Sequence, residues 1–203
     1  MKTNRRVDRR IVRSRQMLKD ALVALIAEKE FSAISITDII NRSDLNRSTF
    51  YAHFSNKDEL MSSIIDELIT GMINSMQTAA NNKQKDGLYQ PGQATIQLFT
   101  YVEDHANYFK TMLNNQRVPQ LSQRLSDTLY AFYLDEIKKF PKQSDQLPMN
   151  NGLFACYLTS VVIGFIYHWL IVTDLKYSPE FISQELIKVF TQKATIPYLQ
   201  PSF

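Results

Sequence analysis

The amino-acid sequence predicts an all-α fold of about nine helices. Three observations carry that expectation. Apolar residues recur at three- and four-residue steps through most of the chain. No stretch of any length alternates apolar and polar residues as a half-buried strand would. The 203 residues include only five Gly and seven Pro, few for a chain with many turns. The scarcity of Gly also removes whole classes of function. Neither G-x-G-x-x-G nor G-x-x-x-x-G-K-[ST] occurs, so no nucleotide phosphate loop is expected. Cys156 is the single cysteine, which excludes an intrachain disulfide and fits a reducing compartment. The basic start, Met1 to Arg10, is not followed directly by the apolar run of a secretory signal, so a cytoplasmic protein is expected.

The elements follow in order. Ile11, Leu18, Leu22, Leu25 and Ile26 place a first helix over 8–28. Ser35-Ile-Thr-Asp38 is a capping pattern that opens a short helix reaching about Arg42. Ser43 to Asn46 is a tight turn, with Asp44 suited to the left-handed conformation such turns need. A second short helix spans about Arg47 to His53. Ser55-Asn-Lys-Asp58 reads as another cap. The long helix after it carries a double apolar stripe that begins at Leu60 and ends at Met76. Residues 79–93 are polar and read as a loop. Helical spacing resumes over 94–104, 106–115 and 118–140, and Pro141 to Gly152 reads as a second loop. Ser178-Pro-Glu opens the last helix, 179–194, with proline at its first position.

Leu153 to Val172 contains no Lys, Arg, Asp or Glu. Twenty such residues match a membrane span in length. Tyr157, Thr159, Ser160, Tyr167 and His168 interrupt the run, and they favour a helix buried in the core or against a partner subunit. No membrane partner is expected.

The net charge of +3 is unevenly distributed. Residues 1–60 hold 12 Lys/Arg and 8 Asp/Glu, a net +4, whereas residues 61–203 hold 11 and 12. The excess suggests that the first third meets a polyanion; a solvated basic tail is the competing reading. The second short helix gathers Arg47, Ser48, Thr49, Tyr51 and His53 within two turns. Those side-chain types reach DNA phosphates and base edges. His53, His105 and His168 are far apart, with no Cys or carboxylate at ligand spacing, so neither a metal nor a cofactor is expected. The same dispersal argues against an enzyme.

Residues 9–66 resemble the DNA-binding domain of TetR-type (TetR/AcrR) bacterial transcriptional regulators. The most specific part is Ser48-Thr-Phe-Tyr-Ala-His-Phe-Ser-Asn-Lys-Asp-Glu-Leu60. Two positions depart from the family pattern: Glu30 and Asp44 stand where the family commonly has Gly. The resemblance implies a helix-turn-helix DNA-binding domain over 1–56 and a helical ligand-binding and dimerisation domain over 57–203, connected by helix 57–77. It implies a double-stranded DNA operator contacted by Thr37, Asn46, Arg47, Ser48, Thr49, Tyr51, His53 and Lys57, with Phe50 and Phe54 in the core. Arg5, Arg6, Arg9, Arg10 and Arg13 would add nonspecific phosphate contacts, unless the arm that bears them is a disordered tail.

In the second half the resemblance implies a homodimer. Its interface candidates are Phe154, Tyr157, Leu158, Val161, Val162, Ile182, Leu186, Val189 and Phe190, some of which would instead be intrachain core. It further implies a pocket for an unknown small hydrophobic or aromatic effector. Tyr101, Phe109, Met112, Tyr133, Phe165, His168 and Trp169 are the lining candidates, with plain core packing as the competing reading for each. The expected function is a nucleoid-associated, ligand-responsive regulator, acting as a repressor. The alternatives are a co-regulator whose helix-turn-helix binds a protein, or a ligand-binding protein on the same fold.

Overall fold

A computed structural model describes residues 2–84, 91–113, 119–139 and 149–191. Among these residues there are nine α-helices and no strand. In chain order they are α1 (Lys2–Glu28), α2 (Ile36–Ser43), α3 (Arg47–His53), α4 (Lys57–Gln84), α5 (Pro91–Asp104), α6 (Ala106–Leu113), α7 (Pro119–Lys139), α8 (Asn151–Tyr167) and α9 (Pro179–Thr191). A 3-10 turn, Phe31–Ala33, follows α1, and a π-helical turn, His168–Val172, extends α8.

Two helices are longer than the sequence suggests. The first begins at Lys2 rather than near residue 8, because no Gly or Pro interrupts its arginine-rich start. The polar run after Met76 stays helical through Gln84, where the sequence reads as a loop from residue 79. Asn, Lys and Gln are poor at filling a core, but they do not end a helix. α5, α7 and α9 each begin at a proline, where the missing N–H costs nothing.

The chain divides into two compact units. The first comprises Met1–Thr70 with Asn107–Leu125. α1 packs on α2 and α3, with Leu18, Leu22 and Ile26 fully buried beside Ile39, Phe50 and Leu60. Polar bonds join α1 to the start of α4: Lys19 pairs with Glu67, and Arg15 Nη2 donates to Ser63 Oγ at 3.2 Å. On α6, Tyr108 donates its hydroxyl proton to Asp20 and accepts from Gln16 Nε2 at 2.7 Å. Burial and the Asp20 carboxylate both push the Tyr108 phenol up. Arg124 of α7 pairs with Asp66 of α4.

The second unit comprises Gly71–Ala106 with Ser126–Phe203. α5 and α9 make its most extensive helix pair, and α8 packs on α9. Trp169 is wholly buried, edge-on to Phe99 at 5.4 Å. Its indole N–H donates to the Tyr177 carbonyl at 2.8 Å. The π turn is closed by Thr173 N–H donating to His168 O at 2.9 Å. α8 and its π turn together are long and apolar enough to cross a membrane, yet a third of the apolar window is buried within the protein. Ala155, Thr159, Val162 and Ile166 form that buried face.

Candidate nucleic-acid interface

The second and third helices are short, so neither would hold alone, and each is fixed by its caps. Ser35 caps α2 with a reciprocal box: its Oγ accepts from Asp38 N at 3.1 Å, and the Asp38 carboxylate accepts from Ser35 N at 2.8 Å. Those bonds, with Lys29 at 2.9 Å, hold the Asp38 carboxyl well below its ordinary value; the Lys29 bond is the largest cause. At the other end of α2, Asp44 takes φ 53°, ψ 35°, the left-handed conformation expected of it. Glu30, the other departure from the family pattern, has φ −57°, so no glycine is needed there.

Asn46 caps α3. Its Oδ1 accepts from Thr49 N, Thr49 Oγ1 and Ser48 Oγ, each at 2.7 Å. The cap occupies the amide oxygen of Asn46, and the residue itself is exposed at the start of the helix. The hydroxyl protons of Ser48 and Thr49 are turned to the same cap. Phe50 and Phe54 face inward, at 0% and 2% exposure. Arg47, Ser48, Tyr51 and Ala52 form the opposite, solvent face of α3, and Thr37 is exposed on α2. The Arg47 guanidinium lies over the Tyr51 ring, 5.7 Å from its centroid, and donates to the phenol oxygen at 3.4 Å.

His53 and Lys57 serve the scaffold. Ser14 Oγ lies 2.9 Å from the Arg10 carbonyl oxygen and is hydrogen-bonded to His53 Nε2 at 2.6 Å. Burial, and then the Arg15 charge, hold the His53 imidazole below its ordinary value. The contact ties one ring nitrogen of His53 to α1. Lys57 Nζ donates to the carbonyls of Phe31, Ile34 and Ser32 at 2.8, 2.7 and 3.2 Å, and sits 4.7 Å from the Phe31 ring centroid. The ammonium expected to clamp a phosphate therefore satisfies the open carbonyls of the 3-10 turn. Ser55 was the expected cap of α4, but Asn56 takes that place: its Oδ1 accepts from Glu59 N at 2.8 Å, while the Glu59 carboxylate accepts from Ser55 N at 2.6 Å.

The residues expected to line a pocket do not share one unit. Phe109 and Met112 are buried in the first. Tyr101, Tyr133 and Phe165 are half-buried in the second, Trp169 is sealed there against Phe99, and His168 is exposed. Of the interface candidates, Val162, Ile182 and Leu186 turn inward and belong to their own chain's core. Tyr157 and Val189 are exposed; Phe154, Leu158 and Val161 are half-buried. The side chain of Phe190 lies outside the described residues, as do those of Arg5 and Arg6. Leu153, Cys156, Ser160 and Gly164 are also exposed on α8, although none is among the interface candidates and an apolar run suggests a buried thiol at Cys156. Their common spacing of three or four was the available signal. Among the described residues no three His, Cys, Asp or Glu side chains stand close enough to hold a metal ion.

A capped helix-turn-helix whose second helix turns an arginine and a tyrosine outward is the reading head of a DNA-binding regulator. Residues 18–64 match the model of bacterial regulatory proteins, tetR family, and residues 89–192 match a transcriptional regulator C-terminal region. The second match alone spans more than half of the chain, which belongs to the TetR family of bacterial transcriptional regulators, a family of regulators rather than enzymes. A curated relative is the uncharacterized HTH-type transcriptional regulator YxbF of Bacillus subtilis (strain 168), 27% identical over 191 residues. The alignment covers 93% of this chain and 47% of that protein, so the chain spans about half the length of the relative. The fold is shared with a putative TetR-family regulator from Syntrophomonas wolfei (TM-score 0.68, 15% identity, 88% of this chain and 93% of that one). It is shared also with a TetR regulator from Streptococcus agalactiae (0.60, 18%, 90% and 96%). A third is named dihydroxyacetone kinase operon activator DhaS (0.56, 14%, 88% and 94%).

Proposed function

We propose that the chain is a dimeric, sequence-specific repressor whose operator affinity is lowered by a small hydrophobic or aromatic effector. The carrying observation is the exposed Arg47–Tyr51 pair on the outer face of a helix whose inner face is pinned by Phe50 and Phe54. Arg47 reads guanine or grips a phosphate, and Tyr51 donates to a phosphate. Thr37, Ser48 and Thr49 are short enough for close backbone approach. Asn46, His53 and Lys57 position the reading helix from behind. Residues 1–56 act as the DNA-binding part and 57–203 as the regulatory part, in the cytoplasm at the nucleoid. One reading helix per chain gives a small half-site, so two copies are needed for useful specificity. The half-buried Tyr101, Tyr133 and Phe165 are the residues most suited to meet an effector, because they combine ring surface with access. An effector that favours the form with its reading helices badly spaced for DNA releases the operator by population shift.

Activation is the second reading, because one chain that shares the fold is named an operon activator. In-vitro transcription from a bound promoter separates the two signs. The DNA reading is tested by anisotropy titration of DNA from upstream of the gene. Affinity should fall with added salt. Arg47→Ala with Tyr51→Phe should weaken specific binding by at least about tenfold, the lower end for one lost base contact. Binding indifferent to both salt and these substitutions would refute it.

A further inference from the structure

We infer that the buried hydroxyl of Ser183 on α9 anchors a small-molecule site between α5 and α9, for a compact, uncharged, largely apolar ligand with one hydrogen-bonding group. Among the described residues the buried polar side chains are Lys19, Ser43, Thr159 and Ser183. Lys19 pairs with Glu67, Ser43 Oγ donates to the Ile40 carbonyl at 3.1 Å, and Thr159 Oγ1 donates to the Ala155 carbonyl at 2.8 Å. Ser183 Oγ, at 0% exposure, meets no partner among the described residues. Other helical hydroxyls turn back onto their own helix, as Ser75 does to the Met72 carbonyl at 2.8 Å and Ser160 to the Cys156 carbonyl at 2.9 Å. Ser183 makes no such bond to the Pro179 carbonyl one turn before it. A sealed hydroxyl gives up its hydrogen bonds to water, so a core seldom holds one without a partner.

The surroundings of Ser183 follow from contacts at either end of the α5–α9 pair. Trp169 donates to the Tyr177 carbonyl, just before α9 begins, and packs on Phe99 in the later half of α5. At the other end, a β-carbon on Gly92, in the first turn of α5, would meet Ile187 Cδ1 of α9 at 3.1 Å. The two helices therefore run antiparallel. Ser183 lies one turn before Ile187 on the same face of α9, which sets it beside the stretch 95–99 of α5. Gly92 to Ile96 are all half-buried and include the small Gly92 and Ala94, so the cover over this part of α9 is thin and partly open to solvent. No charged side chain of the second unit is buried among the described residues, so an ionic ligand would find no counter-charge here. One unpartnered hydroxyl, able to donate or accept, calls for one polar group on the ligand. The site is distinct from the ring of Tyr101, which abuts Gly71 of α4, and it stands whether or not its ligand alters operator affinity. The rival reading is that Ser183 is only a small side chain that lets two helices approach, where Ala would serve equally.

The test is calorimetric titration of the full chain, without DNA, with phenol and with toluene, which are close in size and differ in the hydroxyl. Ser183→Ala deletes the anchor and keeps a good helix former, so the variant should retain the wild-type helical spectrum. It should bind phenol about fivefold more weakly than wild type, the worth of one net hydrogen bond. Toluene should bind the variant as well as wild type or better. Tyr101→Leu should keep wild-type affinity for phenol. Equal phenol affinity in wild type and Ser183→Ala, or no binding of phenol at millimolar concentration, overturns the site and leaves the DNA reading untouched. A loss of phenol binding in Tyr101→Leu with none in Ser183→Ala overturns it in favour of the Tyr101 ring surface. Phenol held through Ser183 with unchanged operator affinity upholds the site and separates it from regulation.

Discussion

At the scale of single residues, the interface is built by side chains that look alike in sequence and do different work. Arg47 and Tyr51 face outward, whereas His53 and Lys57, drawn from the same motif, are bound to their own chain. The difference follows from partners that are distant in sequence: Ser14 lies 39 residues from His53. His53 gives a titration that tells the two roles apart. Its folded pKa is depressed, by burial first and by Arg15 second. An unfolded histidine titrates near ~6.5, so the unfolded chain takes up the proton more readily. The stabilisation is therefore fully present above about pH 6.5 and is lost as pH falls through the lower folded value. Thermal unfolding of wild type should lose more Tm between pH 7.5 and pH 5 than that of His53→Gln, whose amide still reaches Ser14. All other titrating groups are common to both proteins. Parallel Tm curves would leave His53 with no buried neutral role and return it to the phosphate.

At the scale of elements, what the sequence makes legible is what depends on neighbours a few residues away. The Ser35–Asp38 box and the left-handed Asp44 are local chemistry, and both appear where the pattern places them. The cap of α4 is displaced by one residue from Ser55 to Asn56, and both are good caps, so residue type alone does not choose between them. The end of α4 was not legible, since a polar run signals exposure and not helix termination. Which face of α8 is buried was equally hidden, because a helix with no charged residue has no polar side to read. A close approach of two helices is also invisible in sequence. Gly71 on α4 abuts the hydroxyl end of the Tyr101 ring on α5, and a β-carbon at Gly71 would overlap it. Gly71→Ala should gain about 1 kcal/mol in helix propensity and lose about 1–3 kcal/mol to overpacking. The expected net change in denaturant unfolding is a loss. In a Tyr101→Leu background the same substitution should turn neutral or stabilising, because the overlap is gone. A similar loss in both backgrounds would mean that the ring does not set the helix spacing.

At the scale of the whole molecule, the proposed dimer needs a surface that brings two reading heads together. α8 has two opposed faces. Ala155, Thr159, Val162 and Ile166 are buried in the chain, while Leu153, Tyr157, Ser160, Gly164 and Tyr167 form one exposed stripe free of charge. An uncharged stripe with large residues at its ends and small ones between lets a second α8 approach closely, and covering it removes apolar surface from water. Gly164 offers a clean test. A β-carbon there meets nothing within 4 Å, so a long side chain fits the single chain without strain. Gly164→Arg should even raise helix propensity by about 0.8 kcal/mol. In a dimer seated on this stripe it would bury two like charges against each other. Sedimentation velocity should therefore show wild type as a dimer and Gly164→Arg as a folded monomer with an unchanged helical spectrum. Operator affinity should fall by about 10²–10⁴, the contribution of linking two half-site contacts. A variant that stays dimeric and binds DNA as wild type does would place the dimer contact elsewhere, with the exposed Phe181 and Val189 of α9 the next surface to substitute.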